Sequence, residues 1–154
     1  MKRYEFTIMG DPFGKQRPRA TIRGGHIHIY TPQETKDYEA RVREAATRQV
    51  RMITVPVVVD IKAYFKIPKY FSKKKKRRCL AGLERPTKKP DKDNIEKIVL
   101  DGMNPLSGVN KATRKRVVKA EGLYLDDKQV IAGKTTKLYG EPARVEVVVT
   151  EFEA

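Results

Sequence analysis

Apolar and polar residues alternate over residues 4–9, with Tyr4, Phe6 and Ile8 on one side. That period of two predicts a strand. Gly10 to Gly14, with Pro12, ends it. Two more alternating runs, residues 20–23 and 26–30, flank Gly24-Gly25. Paired glycines accept the positive φ of a primed turn, so a hairpin is expected. Thr31-Pro32 offers a cap and a first-turn proline to a helix over residues 33–51. Residues 55–67 are rich in β-branched side chains and read as a strand. A second helix is expected to start at Pro68, include the basic run 73–78 and stop at Gly82. Residues 84–90 read as a loop. Asp91 or Asp93 then caps a helix reaching about Met103, whose apolar residues Ile95, Ile98 and Val99 share one face. Residues 104–122 are polar and basic and are expected to form a loop. Residues 123–125 read as a short strand running into Asp126-Asp127, and residues 130–139 and 143–152 as two closing strands. Strands first, then strands mixed with helices, predict an α+β single domain over 1–154, its mixed or antiparallel sheet covered by helices on one face.

Charge changes the picture. The chain of 154 residues carries 34 Lys and Arg against 19 Asp and Glu, a formal net charge of +15. Apolar residues make up 39% and charged residues 34%, which suits a globular domain rather than a disordered chain. Such a surplus implies a polyanionic partner, because Lys and Arg that neutralise phosphates release counterions. The single cysteine, Cys79, excludes an internal disulfide and a thiolate zinc site. No apolar segment approaches the length of a membrane span or a leader peptide. A cytoplasmic, nucleoid-associated protein with no membrane partner is expected.

Against that background, carboxylates packed into Lys89-Pro90-Asp91-Lys92-Asp93-Asn94 demand a reason. On a helical wheel Lys97 lies about 40° and Asp101 about 80° from Asp93, on the face opposite the apolar residues. Two or three carboxylates are what Mg²⁺ requires, with water and substrate phosphate completing its shell. Lys97 would offset charge developing on phosphorus. Asp126-Asp127, at a strand end, is the best source of a further ligand. A plainer interpretation stands beside this one. Asp93 with Glu96 matches a capping box, Asp93 with Lys97 an ordinary i, i+4 pair, and Asp126-Asp127 a surface turn. An EF-hand starting at Asp91 would need ligands at Ile95 and Gly102. His26 and His28 have only each other, which is too few for zinc, and neither sits in a nucleophile motif.

Basic residues fall in three patches. Lys73, Lys74, Lys75, Lys76, Arg77 and Arg78 are consecutive, with Tyr64, Phe65, Tyr70 and Phe71 nearby. Arg114, Lys115 and Arg116, with Lys111 and Lys119, form a second patch. Lys15, Arg17 and Arg19 form a third, and Lys89 adjoins the acids. Three separated patches suit an extended phosphate surface. No motif for direct base reading is present.

The segment from Lys89 to Asn94 with Lys97 and Asp101, the later Asp126-Asp127-Lys128-Gln129-Val130, and the early Gly14-Lys15-Gln16-Arg17-Pro18-Arg19 together resemble the RusA family of Holliday junction resolvases. That family shows K-x-RPR, KPDxDNxxKxxxD and DDxQV elements in this order. The resemblance implies a small homodimeric Mg²⁺-dependent endonuclease, with Mn²⁺ as substitute, that nicks branched four-way DNA symmetrically in recombination and repair. Such genes often sit in phages and prophages. Asp91, Asp93 and Asp127 match the essential acids, Asp126 is a supporting ligand, and Lys97 matches the motif lysine. The basic segment 110–120 departs from the family's short connection between Asp101 and Asp126, and bears on substrate choice. Two other functions fit the charge: a non-catalytic nucleic-acid-binding protein, and an endonuclease for forks or flaps.

Overall fold

The computed structural model describes residues 1–154. Its centre is a five-stranded mixed sheet. Strand β1 (Arg3–Met9) pairs antiparallel with β9 (Arg144–Glu151), which pairs antiparallel with β4 (Val57–Phe65). On the other side of β4, both β7 (Val130–Ala132) and β8 (Thr135–Tyr139) run parallel to it. The alternation seen in sequence is what positions these strands. Val57, Val59, Ile61, Ala63 and Phe65 of β4 are buried, as are Val145, Val147 and Val149 of β9. The intervening residues are partly exposed, Asp60 and Lys62 more so, as expected of a sheet with one face on the core and one towards water.

Three helices join that sheet: α1 (Gln33–Ala46), α2 (Lys73–Leu80) and α3 (Lys92–Gly102). Tyr38, Val42 and Ala46 of α1 and Ile95, Ile98 and Val99 of α3 close the core over the inner sheet face. Two hairpins stand apart: β2 (Arg19–Arg23) with β3 (His26–Tyr30), and β5 (Leu106–Val109) with β6 (Arg116–Ala120). No helix is long and apolar enough to cross a membrane.

The α+β single domain is borne out, and the sheet is mixed. Four local expectations are corrected. The first helix ends at Ala46, not residue 51. Beyond it Met52 adopts φ of 57°, and the N–H groups of Met52 and Ile53 are taken by the carbonyls of Gly122 and Leu123 at 3.0 and 2.8 Å. Tertiary pairing overrides the helical pattern there. Residues 104–122 are a hairpin, not a loop. Its turn is held by the Asn110 side chain, which accepts from the N–H groups of Ala112 and Thr113 at 2.9 and 3.2 Å. Residues 123–125 make one parallel bridge, Ile53 with Tyr124, and no strand. Finally, the strand over 130–139 is broken at Gly133, whose φ is 143°. The one-residue slip against β4 comes earlier, between Val130 and Ala132, and the register is the same on both sides of Gly133. Asp60 takes up the loosened pairing, its carboxylate accepting the Lys134 N–H at 3.0 Å.

Candidate active site

The first acid group stands at the start of α3. Asp91 occupies the N-cap position, yet its side chain makes no capping hydrogen bond. Asp93 lies inside the first turn, so the capping box with Glu96 does not form. Asp91, Lys92, Asp93 and Asn94 are all exposed. The i, i+4 pair of Asp93 with Lys97 does not form either, for neither residue belongs to any ion pair of the chain. Both carboxylates are left free at the positive end of a helix dipole, which favours negative charge there. Asp91 also faces a cation. Burial lowers the pKa of Lys137, and the Asp91 charge works against that shift. The Lys137 ammonium donates to the Lys88 carbonyl at 2.6 Å, which anchors the segment leading into Asp91.

The second acid group lies at the other end of α3. Asp101 sits in its last turn, and Asp126 and Asp127 begin a 3-10 turn, Asp127–Gln129. Here the capping interpretation holds. The Asp126 carboxylate accepts the Lys128 N–H at 2.9 Å, while the Gln129 side chain accepts from the N–H groups of Leu125 and Asp126 at 2.9 and 3.0 Å. Gln129 then donates to the carbonyls of Ile53 and Val55 at 2.8 and 3.0 Å, pinning the turn to the segment that leads into β4. Asp127 is left outside the cap and accepts from the Asn104 side-chain amide at 3.0 Å. Asn104 itself is held by Arg43, which donates to its carbonyl at 2.7 Å.

The two adjacent acids of this group shift in opposite directions. Burial raises the pKa of Asp127; the Asn104 hydrogen bond lowers it, and the Asp126 and Asp101 charges raise it further. Asp126 shifts the other way, chiefly because the Lys128 N–H stabilises its carboxylate, with Lys128 and Arg116 adding to the effect. Beneath them the Tyr124 hydroxyl donates to the Leu100 carbonyl at 2.5 Å, and burial with three nearby carboxylates holds its pKa high.

The N-terminal motif joins the two groups. The Lys15 N–H donates to the Asn94 carbonyl at 2.9 Å. Its ammonium reaches two turns along α3 to Asp101 at 3.1 Å and also meets Glu39 at 2.5 Å. Burial works to lower the Lys15 pKa, but the two carboxylates outweigh it and the net shift is upward. Lys15 is therefore an internal counter-ion rather than a free contact for phosphate. Gly14 permits the approach, since a Cβ there would lie 2.7 Å from Pro90 Cβ. Between the segments runs a cleft of about 520 Å³ lined by Lys15, Gln16, Lys89, Pro90, Asp91 and Asn94, among others.

One expectation is not met within a single chain. No three acidic, histidine or cysteine side chains gather closely enough to hold a metal ion, so Asp91, Asp93 and Asp127 do not converge. The reason is the length of α3: at 1.5 Å per residue, Asp91 and Asp101 are about 15 Å apart along its axis. The donor chemistry nonetheless fits a hard cation. Asp91 and Asp93 make no capping bond or ion pair, and Asn104 Oδ1 is a buried acceptor with no hydrogen bond, beside Asp127.

Comparison with known proteins accounts for this arrangement of motifs. The family model for endodeoxyribonuclease RusA matches residues 9–150. The chain belongs to the RusA endodeoxyribonuclease family. An uncharacterised protein of Bacillus subtilis strain 168, YqaN, is 39% identical over 154 residues, covering 97% of each chain. As a RusA-family nuclease, the chain has hydrolysis of DNA phosphodiesters as its implied chemistry.

The basic residues of this RusA-family chain are placed unevenly. Lys73, Lys74, Lys75, Arg77 and Arg78 of α2 are exposed, although Arg78 is paired with Glu84 at 3.2 Å and Lys75 stands 4.0 Å above the Phe71 ring. Lys76 is half-buried. Arg17, Arg19 and Lys89 are exposed, and Lys89 lines the cleft beside Asp91. Arg114, Lys115 and Arg116 lie at the tip of the β5–β6 hairpin, and Arg116 is close enough to Asp126 to help lower its pKa. The insertion thus brings positive charge towards the second acid group. Arg43, Asn104 and Gln129 were not singled out by sequence as supports of the site. Gln129 had a signal in the DDxQV element; Asn104 and Arg43 had none.

Proposed function

We propose that this RusA-family chain is a Mg²⁺-dependent, structure-selective endodeoxyribonuclease that resolves four-way DNA junctions by paired nicks, acting as a homodimer in recombination and repair. The observation that carries this reading is the pair of free carboxylates, Asp91 and Asp93, on the exposed start of α3 in a protein of net charge +15. Carboxylates in so basic a molecule readily find lysine or arginine partners, and these two make no ion pair.

Asp91, Asp93 and Asp127 are the proposed ligands, with Asp126 in support. When bound, Mg²⁺ supplies activation of water for attack on phosphorus and neutralisation of charge on the phosphate oxygens. The chain's own groups do the rest. Asn104 and Gln129 orient Asp127. Lys97, exposed and free of ion pairs one turn after Asp93, offers its ammonium to the charge developing on the phosphate. The exposed cations of α2, the β5–β6 tip and Arg17 and Arg19 hold the backbone of the substrate. A single chain leaves its acids in two groups, so a second chain is a natural source of missing oxygen donors. Two-fold symmetry also supplies two sites for the paired nicks.

The test is strand cleavage. Purified protein with Mg²⁺ is expected to nick a synthetic four-way junction at two symmetric positions, faster than a replication fork, a flap or a continuous duplex, and to stop on chelation. The absence of three converging acids in one chain favours a second reading, a basic nucleic-acid-binding protein without catalysis. Tight junction binding with no cutting in Mg²⁺ or Mn²⁺ would establish that reading. Preferential cutting of forks or flaps would reassign the substrate.

A further inference from the structure

A second cleft lies outside the acid groups and takes no part in the chemistry above. It measures about 490 Å³ and is lined by Lys66, Lys69, Tyr70, Phe71, Lys88 and Tyr139, among others. Single exposed aromatic residues are common on protein surfaces. Tyr70 differs in its setting. It is 87% exposed, and its ring rests on a neighbouring aromatic group. Phe71 meets its ring edge to face at 5.1 Å and is itself braced by Tyr139 at 6.0 Å and by the Lys75 ammonium at 4.0 Å. Tyr139 is the last residue of β8, so this aromatic group is tied to the sheet through Phe71. Lysines surround it, and no acidic residue lines the cleft.

An exposed ring backed by a second aromatic residue and set beside several ammonium groups has the chemistry of a stacking platform for a nucleobase. Its volume falls in the usual range for small-ligand sites, roughly 300–1,000 Å³. Stacking requires a base with a free face, which continuous duplex DNA does not offer and a branch point does. Position ties the cleft to the acids: Lys88 lines it, and Asp91 follows three residues later.

We propose that this cleft receives a nucleobase unstacked at the branch point of DNA, its face against Tyr70 and its phosphates among Lys66, Lys69 and Lys88. The proposal takes its branched substrate from the nuclease reading, and it makes Tyr70 a selectivity residue rather than a catalytic one. The adjoining basic helix holds backbone of any structure, whereas Tyr70 distinguishes a branch from a duplex.

Binding in EDTA separates this proposal from cleavage. The wild-type protein, Tyr70→Ala and Tyr70→Phe are titrated against a four-way junction and a continuous duplex of equal length, at one salt concentration. Tyr70→Ala is expected to weaken junction binding about tenfold, within the range for one lost base stack, and to change duplex binding less than about twofold. Tyr70→Phe is expected to bind both as the wild type does. In a junction carrying 2-aminopurine beside the branch point, wild-type protein is expected to change the probe's emission, and Tyr70→Ala to leave it at the value of the free junction. Unchanged circular dichroism of the variants would show that the fold is intact. Equal losses on junction and duplex, or no loss on either, would overturn the proposal. Failure to cut DNA in Mg²⁺ would count against the nuclease reading alone, because stacking is measured without metal.

Discussion

Asp93→Asn is expected to lower junction cleavage by about 10³-fold, the scale of loss when a group that stabilises the reacting phosphate is removed. Junction binding without metal should be kept or slightly tightened, since the variant has one negative charge fewer beside the DNA. The substitution keeps the shape of the side chain and removes its charge. Asp93 is exposed in the first turn of α3, so no buried contact is lost. Its favourable interaction with the helix dipole contributes about 0.3–1 kcal/mol. That is small beside the roughly 5–15 kcal/mol that separates folded from unfolded protein. Lost cleavage therefore cannot be traced to unfolding, and a thermal melt within a few degrees of the wild type would confirm this. Gel analysis of the nicked strands reads the effect. Cleavage within tenfold of the wild type would remove Asp93 from the ligand set.

The second large effect concerns the fold. Gly133→Ala is expected to destabilise the protein by about 3 kcal/mol or more. A Cβ at this position would lie 1.7 Å from the Val59 carbonyl oxygen, and φ of 143° is a conformation that L side chains rarely adopt. Either the β4 backbone moves or the edge formed by β7 and β8 detaches. Both outcomes disturb the sheet next to Asp127, because β7 begins three residues after it. Lys134→Ala, at an exposed neighbouring side chain, is expected to stay within about 0.5 kcal/mol. Urea denaturation of the two variants separates the outcomes. Equal midpoints would show that Gly133 tolerates a side chain and that the close approach to Val59 is not retained in solution.

The sequence made some features plain because they depend on local spacing. Val57, Val59, Ile61, Ala63 and Phe65 alternate, and the strand they predict is β4. Ile95, Ile98 and Val99 fall on one helical face, and they are fully buried under α3. The β5–β6 hairpin escaped notice because its apolar residues never reach the core. Leu106, Val109, Val117 and Val118 stay exposed, so no clean alternation marks them against the surrounding lysines and arginines. The end of α1 was equally hidden, since it is set by hydrogen bonds from Met52 and Ile53 to a segment some 70 residues away.

For the site, spacing identified the acids but not their grouping. A helical wheel places Asp93 and Asp101 on one face and says nothing of the distance along the axis, which puts them in different groups. The role of Lys15 was also illegible. In sequence it belongs to a basic run, yet folding half-buries it between Glu39 and Asp101. Asp126 and Asp127 are adjacent and chemically identical, and beyond the family motif it is the 3-10 turn that distinguishes them: the first caps it and the second turns to Asn104.

Diffraction at the manganese edge, from crystals grown with Mn²⁺, tests most directly whether these carboxylates hold a catalytic cation. The expected result is an anomalous peak ligated by Asp91 and Asp93 together with an Asp127 carboxylate. No peak at these residues, with the carboxylates instead closed upon lysine or arginine, would contradict it.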